Sequence, residues 1–92
     1  MSATIRIPTP LRKLTAGNAE VNAEGGSIRE IFDDLEGNYP GLKDKVFDDG
    51  GEIRRFIILS LDGEDVRYLQ GPDTPVQAGA EVSIVPAIAG GK

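Results

Sequence analysis

Polar and apolar residues alternate over Thr4-Ile5-Arg6-Ile7, the two-residue period that sends successive side chains to opposite faces of a strand. Pro8 and Pro10 end the run, because proline has no N–H to give to a sheet. Residues 9–17 then read as a loop. From 18 to 24 a weaker alternation returns through Ala19, Val21 and Ala23. It predicts a second strand paired back on the first as a hairpin, and its low apolar content places it at a sheet edge. After Gly25-Gly26 the period changes: Ile28, Ile31, Phe32 and Leu35 fall at i, i+3, i+4 and i+7, one apolar helical stripe, while Arg29, Asp33, Asp34 and Glu36 mostly face water. Ser27 at the N-cap and Glu30 three residues on can satisfy each other's orphan backbone donors, and Gly37-Asn38 followed by Pro40 stops the helix. Residues 39–51 are predicted to be irregular or to hold a short helix, with Leu42, Val46 and Phe47 plugging the end of the core.

Residues 55–61 carry the strongest strand signal. Asp62-Gly63 is a favoured two-residue hairpin turn, returning the chain through residues 64–69. Both faces of this strand are apolar. If Ile57, Leu59 and Leu61 point to the helix, Phe56 and Ile58 point the other way; that pair is then either a partner-binding patch or is covered by loops. Residues 71–79, with Pro72 and Pro75, form a turn-rich connection, and Glu81-Val82-Ser83-Ile84-Val85 is a last strand ended by Pro86. The order β-β-α-β-β-β predicts an α+β domain: a mixed sheet with one main helix packed on one face and the terminal strand beside the first.

Ninety-two residues suffice for one such domain and leave no room for a second core. Composition narrows the chemistry. There is no cysteine and no histidine, so disulfides, a cysteine nucleophile, the usual transition-metal ligand sets and the commonest general base near neutral pH are all missing, which argues against an autonomous enzyme. The net charge of −5, fifteen acids against ten bases, argues against nucleic acid as a partner and favours a positively charged protein surface. No apolar run approaches the roughly 18 residues that span a bilayer, and the N-terminus lacks the features of a signal peptide, so the chain is expected to be cytoplasmic, with no membrane partner. Two local motifs fail on inspection. Gly25-Gly26 is not followed by lysine and Ser/Thr at phosphate-loop spacing, and Asp44, Asp48, Asp49 and Glu52 lack the pattern of a calcium loop, so neither a phosphate site nor a metal site is expected.

The end of the chain is the remaining feature: Val85-Pro86-Ala87-Ile88-Ala89-Gly90-Gly91-Lys92. A diglycine has no Cβ atoms, so such a tail can thread a narrow slot and set a backbone carbonyl against a reactive group; a solvated, glycine-rich chain end is the competing reading. Residues 1–86 are expected to form the domain and residues 87–92 a flexible tail. From 87 to 91 it reaches at most about 17 Å.

The element order with a protruding diglycine resembles the β-grasp fold of ubiquitin-like proteins, and the detail resembles the bacterial sulfur carriers of the MoaD/ThiS family. The resemblance is carried by Gly71-Pro72-Asp73-Thr74-Pro75-Val76 through Gly79, by Glu81-Val82-Ser83-Ile84 and by Pro86 to Gly91. Ile7-Pro8-Thr9 with Leu11-Arg12, Arg55-Phe56 and Asp65-Val66-Arg67 look most like the branch that serves cysteine synthesis. What the resemblance implies is a carrier that is itself a substrate. An E1-like adenylating enzyme would use ATP and Mg²⁺ to activate the Gly91 carboxylate, sulfur transfer would give a thiocarboxylate, and an acceptor such as a cysteine synthase would take the sulfur. Ala87, Ile88, Ala89 and Gly90 would thread the partner's slot, and no cofactor would be bound by the carrier. Lys92 departs from the family pattern, since an amide bond there leaves Gly91 no free carboxylate. Either a protease removes it, for which a JAMM-type zinc metalloprotease is the family's usual partner, or it is foreign to the native chain, or the protein is not a carrier. The alternatives are a protein modifier or binding domain without sulfur chemistry, or the small subunit of a molybdopterin synthase.

Overall fold

The alternation at the start of the chain becomes strand β1 (Ser2–Arg6), with Ala3 and Ile5 buried and Ser2 and Arg6 exposed, in a computed structural model that describes residues 2–86. β2 (Glu20–Glu24) pairs antiparallel with it, Ile5 opposite Val21. The expected strand of residues 55–61 is β3 (Ile57–Leu61), followed by β4 (Glu64–Asp65) and β5 (Glu81–Pro86). The sheet order is β2-β1-β5-β3-β4, so the weakly apolar β2 is an edge as expected, and the last strand lies in the middle, parallel to β1 and antiparallel to β3. This is the expected α+β architecture: a mixed sheet with the main helix, α1 (Ile28–Asn38), packed on one face.

α1 forms where its stripe and cap predict. Ile28, Ile31, Phe32 and Leu35 are fully buried. The Ser27 hydroxyl accepts from the Glu30 N–H at 3.2 Å, and the Glu30 carboxylate accepts from the Gly26 N–H at 2.8 Å, one residue further back than the usual capping box. Gly25 is fixed by geometry: its φ is +155°, and a Cβ there would sit 2.9 Å from the backbone of Glu30 and Ile31, which enter α1 directly beneath it. A second helix, α2 (Leu42–Val46), caps one end of the core with Leu42, Val46 and Phe47 buried. The Glu36 carboxylate accepts from the N–H groups of Gly41 and Lys43, satisfying two donors of its first turn. The rings of Phe32 and Phe47 meet edge to face at 5.3 Å, joining α1 to the segment after α2.

Three expectations are corrected by local hydrogen bonding. Thr9–Thr15 is a 3-10 helix rather than a loop: Pro10 near its start supplies a pre-set φ, and the buried Thr15 hydroxyl donates to the Asn18 carbonyl at 2.9 Å. The return strand of residues 64–69 stops after Asp65, whose carboxylate accepts from the Arg67 N–H at 2.9 Å and winds Val66–Tyr68 into a 3-10 turn that buries Val66. Arg55 and Phe56 precede β3 in a turn closed by the Ile57 N–H donating to the Arg54 carbonyl at 2.9 Å. Asp48, one of the acids weighed as a calcium ligand, organises its own loop by accepting from the N–H groups of Gly50 and Glu52. The expected tail, residues 87–92, lies outside the described residues.

The two glycines at the ends of α1 should respond oppositely. Gly25→Ala meets both a forbidden φ and the helix backbone, and should destabilise the fold by more than about 1 kcal/mol in urea melts. Gly37→Ala places its methyl in open space within the helix and should stabilise by up to about 1 kcal/mol. Equal effects of the two changes would contradict this account of the turn.

Candidate functional site

Side chains alternate along β3 and β5, and register then decides which meet. Leu59 lies opposite Ile84, both buried toward α1; the neighbouring pair, Ile58 opposite Val85, therefore lies on the face α1 does not cover. Ile58 is half-buried and Val85 is 44 % exposed. Phe56, 46 % exposed, stands in the turn that leads into β3. The expected assignment of Ile57 and Leu59 to the helix side and Ile58 to the other is thus what the sheet shows; Leu61 is half-buried, and Phe56 precedes the strand instead of alternating within it. Val85 was not singled out in the sequence, although the signal was present: with Val82 and Ile84 facing the core, alternation leaves Val85 as an apolar residue on the open face.

This face is divided. Toward β2 it is polar, where Arg6 reaches both Glu20 at 2.6 Å and Glu81 at 2.8 Å across three strands. These pairs are half exposed, and such pairs contribute little to stability. Toward β3 it is apolar, with Ile58, Val85 and Phe56. The apolar half lies at the end of the sheet from which the chain departs. The β1 ladder reaches only as far as Arg6 opposite Ser83, because Pro8 and Pro10 turn that strand away, whereas β3 accompanies β5 to its last residue, Ile57 opposite Pro86. Beside the exit a shallow groove is lined by Arg6, Pro8, Arg12, Ser83 and Val85.

The remaining candidate positions, Ala87, Ile88, Ala89, Gly90, Gly91 and Lys92, lie outside the described residues. What the structure does place is their point of attachment. Pro86 ends the central strand, held by β3 and next to the apolar half of the open face. No grouping of three or more acidic side chains with metal-site geometry occurs among the described residues.

A central carboxyl-terminal strand, parallel to the first strand and covered by one main helix, defines a ubiquitin-like β-grasp protein. The chain belongs to the ThiS family, whose sequence profile matches residues 5–91. It is 39 % identical over 93 residues to the sulfur carrier protein CysO of Mycobacterium tuberculosis, covering 99 % of this chain and 100 % of that protein. Among solved structures, a chain of the Amycolatopsis orientalis BexX/CysO complex superimposes with a TM-score of 0.92 at 38 % identity, over 97 % of this chain and 99 % of that one. The small archaeal modifier protein SAMP1 of Methanosarcina acetivorans matches with a TM-score of 0.82 at 26 % identity, over 98 % and 96 %.

Neighbouring residues of β3 should separate the two faces. Leu59→Ala removes a fully buried side chain and should cost roughly 2–5 kcal/mol in urea melts. Ile58→Asp, on the open face, should cost about 1 kcal/mol or less. Equal damage from the two would place Ile58 in the core.

Proposed function

We propose that this protein is a sulfur carrier, a protein substrate rather than an enzyme, whose Gly91 carboxylate becomes a thiocarboxylate once Lys92 is removed. The observation that carries the reading is the end-to-end similarity to CysO, with a family match that runs to Gly91 and stops one residue short of Lys92. The chemistry suits a chain without cysteine or histidine. In an E1-like adenylating enzyme using ATP and Mg²⁺, a Gly91 carboxylate oxygen attacks the α-phosphorus and pyrophosphate leaves. Hydrosulfide then attacks the acyl carbon, forming the C–S bond as the bond to AMP breaks, and the carboxylate has exchanged one oxygen for sulfur. The thiocarboxylate is the better nucleophile: its sulfur bonds to an electrophilic carbon of a substrate held by an acceptor enzyme, here proposed to be of the cysteine-synthase type, and cleavage of the resulting acyl–sulfur bond by water releases the thiol and restores the carboxylate. A JAMM-type metalloprotease is the proposed agent of Lys92 removal.

The fold supplies what this scheme asks of the carrier. Residues 87–91 can span about 17 Å from Pro86, enough to enter a partner's active site while the body docks outside. The Ile58, Val85 and Phe56 patch lies on the side of the exit where that docking would occur. The CysO chain of known structure was solved in a complex with BexX, which supports a carrier that works through protein partners. Among the described residues no helix is long and apolar enough to cross a membrane. The likeness to SAMP1 supports a second reading, in which the same activated carboxylate is joined to a protein amine.

Two measurements test the scheme. The full-length chain should fail to support ATP–pyrophosphate exchange with its activating enzyme, while a chain ending at Gly91 should support it; equal exchange with Lys92 shown by mass to remain attached would overturn the proposal. In the chain ending at Gly91, Gly90→Val should leave the melting temperature unchanged and abolish adenylation, because a β-branched side chain both fills a slot built for backbone and stiffens the tail. Normal thiocarboxylate formation by that variant, read from intact mass, would reduce the diglycine to a solvated chain end.

A further inference from the structure

We infer that the partner surface received by the exit end of this acidic protein is itself acidic. The inference rests on the docking reading above and adds the chemistry of the partner. It comes from which cations have partners. Among the described residues, the ion pairs are Arg6 with Glu20 and Glu81, Arg29 with Asp73, and Lys43 with Asp33. Arg12, Lys13, Lys45, Arg54, Arg55 and Arg67 have none, although the chain carries fifteen acids against ten bases. Three of the six, Arg54, Arg55 and Arg67, are neighbours, and a fourth, Arg12, lines the groove beside Val85 at the exit. Arg54 and Arg55 belong to the turn that enters β3 opposite Pro86, and the Arg67 guanidinium donates to the Arg54 carbonyl at 2.7 Å.

Two of these arginines are held for use. The Arg54 guanidinium donates through Nε to the Asp44 carbonyl at 2.8 Å, and the Arg67 guanidinium through Nη2 to Arg54, so each is anchored by a neutral acceptor that leaves its charge and other donors available. Arg55 is exposed and makes no side-chain hydrogen bond or ion pair among the described residues. Arg55 adjoins Phe56 in the chain and Arg12 shares a groove with Val85, so these two border the apolar half of the open face, while Arg54 and Arg67 back the turn from the side of α2. Asp33, Glu36, Asp44, Asp48 and Asp49 line a cleft between α1 and α2, on the other side of the sheet, and the open-face acids Glu20 and Glu81 are taken up by Arg6.

An apolar centre with a cationic border is complementary to an apolar surface bordered by carboxylates. Local charge governs docking, because screening confines the field of an exposed charge to roughly 10 Å. Net charge of −5 points to a basic partner, and the positions of the arginines reverse that expectation for this face.

The test uses the chain ending at Gly91 and its activating enzyme, with association followed by stopped-flow fluorescence at low and at high sodium chloride. Arg55→Gln and Gln77→Glu lower the net charge by the same amount. Gln77 is exposed at the opposite end of the sheet, in the connection where Gly79 donates to the Ser2 carbonyl. At low salt, Arg55→Gln should slow association about three- to tenfold, Arg55→Lys should restore most of the rate, and Gln77→Glu should match the unaltered chain. Added salt should slow the unaltered chain more than Arg55→Gln. Identical rates for Arg55→Gln and Gln77→Glu, or faster association of the unaltered chain at high salt, would overturn the inference. Ile58→Asp separates it from the reading beneath: if that change weakens binding while Arg55→Gln does not, the docking face stands and the acidic partner falls. If Arg55→Gln slows association while Ile58→Asp has no effect, the arginine border stands and docking on the apolar pair falls.

Discussion

Everything in this molecule depends on placing the last strand in the middle of the sheet. β5 is gripped by β1 on one side and by β3 on the other, and its buried side chains, Val82 and Ile84, meet the helix-facing layer of both neighbours. Parallel pairing with β1 cannot be made by a short turn, so nearly the whole chain between them must be wound out of the way, and α1 fills that crossover while covering the face the strands leave apolar. One consequence is kinetic: the ladder that completes the sheet joins residues far apart in sequence, which makes it a late and entropically costly contact. The other is functional. A chain end attached to a central strand is carried by the most firmly held element of the fold, whereas one attached to an edge strand would inherit that edge's fraying.

The same placement explains how the two faces divide the work. The α1 side is committed to stability: its residues are buried, and the Phe32–Phe47 contact ties the helix to the cap of the core. The open face carries no such load toward β3, so Ile58, Val85 and Phe56 are available to a partner next to the exit of the chain. Arg55, beside Phe56, and Arg12, in the groove with Val85, border this face, and the acids of the cleft between α1 and α2 belong to the other, so a protein of net negative charge has cations beside the end of its central strand. Exposed charges act over about the distance that separates the two sides of a sheet-and-helix layer, which is why their placement matters more here than their sum.

Much of this was legible in the residue pattern. The two-residue alternation of β1, the stripe and cap of α1, the Asp62-Gly63 turn and the edge character of β2 each follow from side-chain period, capping chemistry or turn preference, all of which act within a few residues. The misjudged stretches share a different cause. The 3-10 segments Thr9–Thr15 and Val66–Tyr68 and the shortened β4 arise where a single side chain, Thr15 or Asp65, closes a local hydrogen bond that competes with extended backbone. Their positions are then settled by the burial of Thr15 and Val66, which no local signal reports.

By itself, then, the sequence determined the main strands and helix, the face each one buries and the family to which the chain belongs, because periodicity and motif are properties of neighbours along the chain. It also supplied the chemistry at risk, a diglycine followed by lysine and no residue of the usual catalytic kinds. Only the tertiary structure decided that Val85 joins Ile58, that Arg67 anchors on the Arg54 carbonyl, and that Arg12 shares a groove with Val85. Those facts are set by register between strands and by the path of a turn, which bring together residues that are distant in sequence and carry no signal of one another until the sheet has formed.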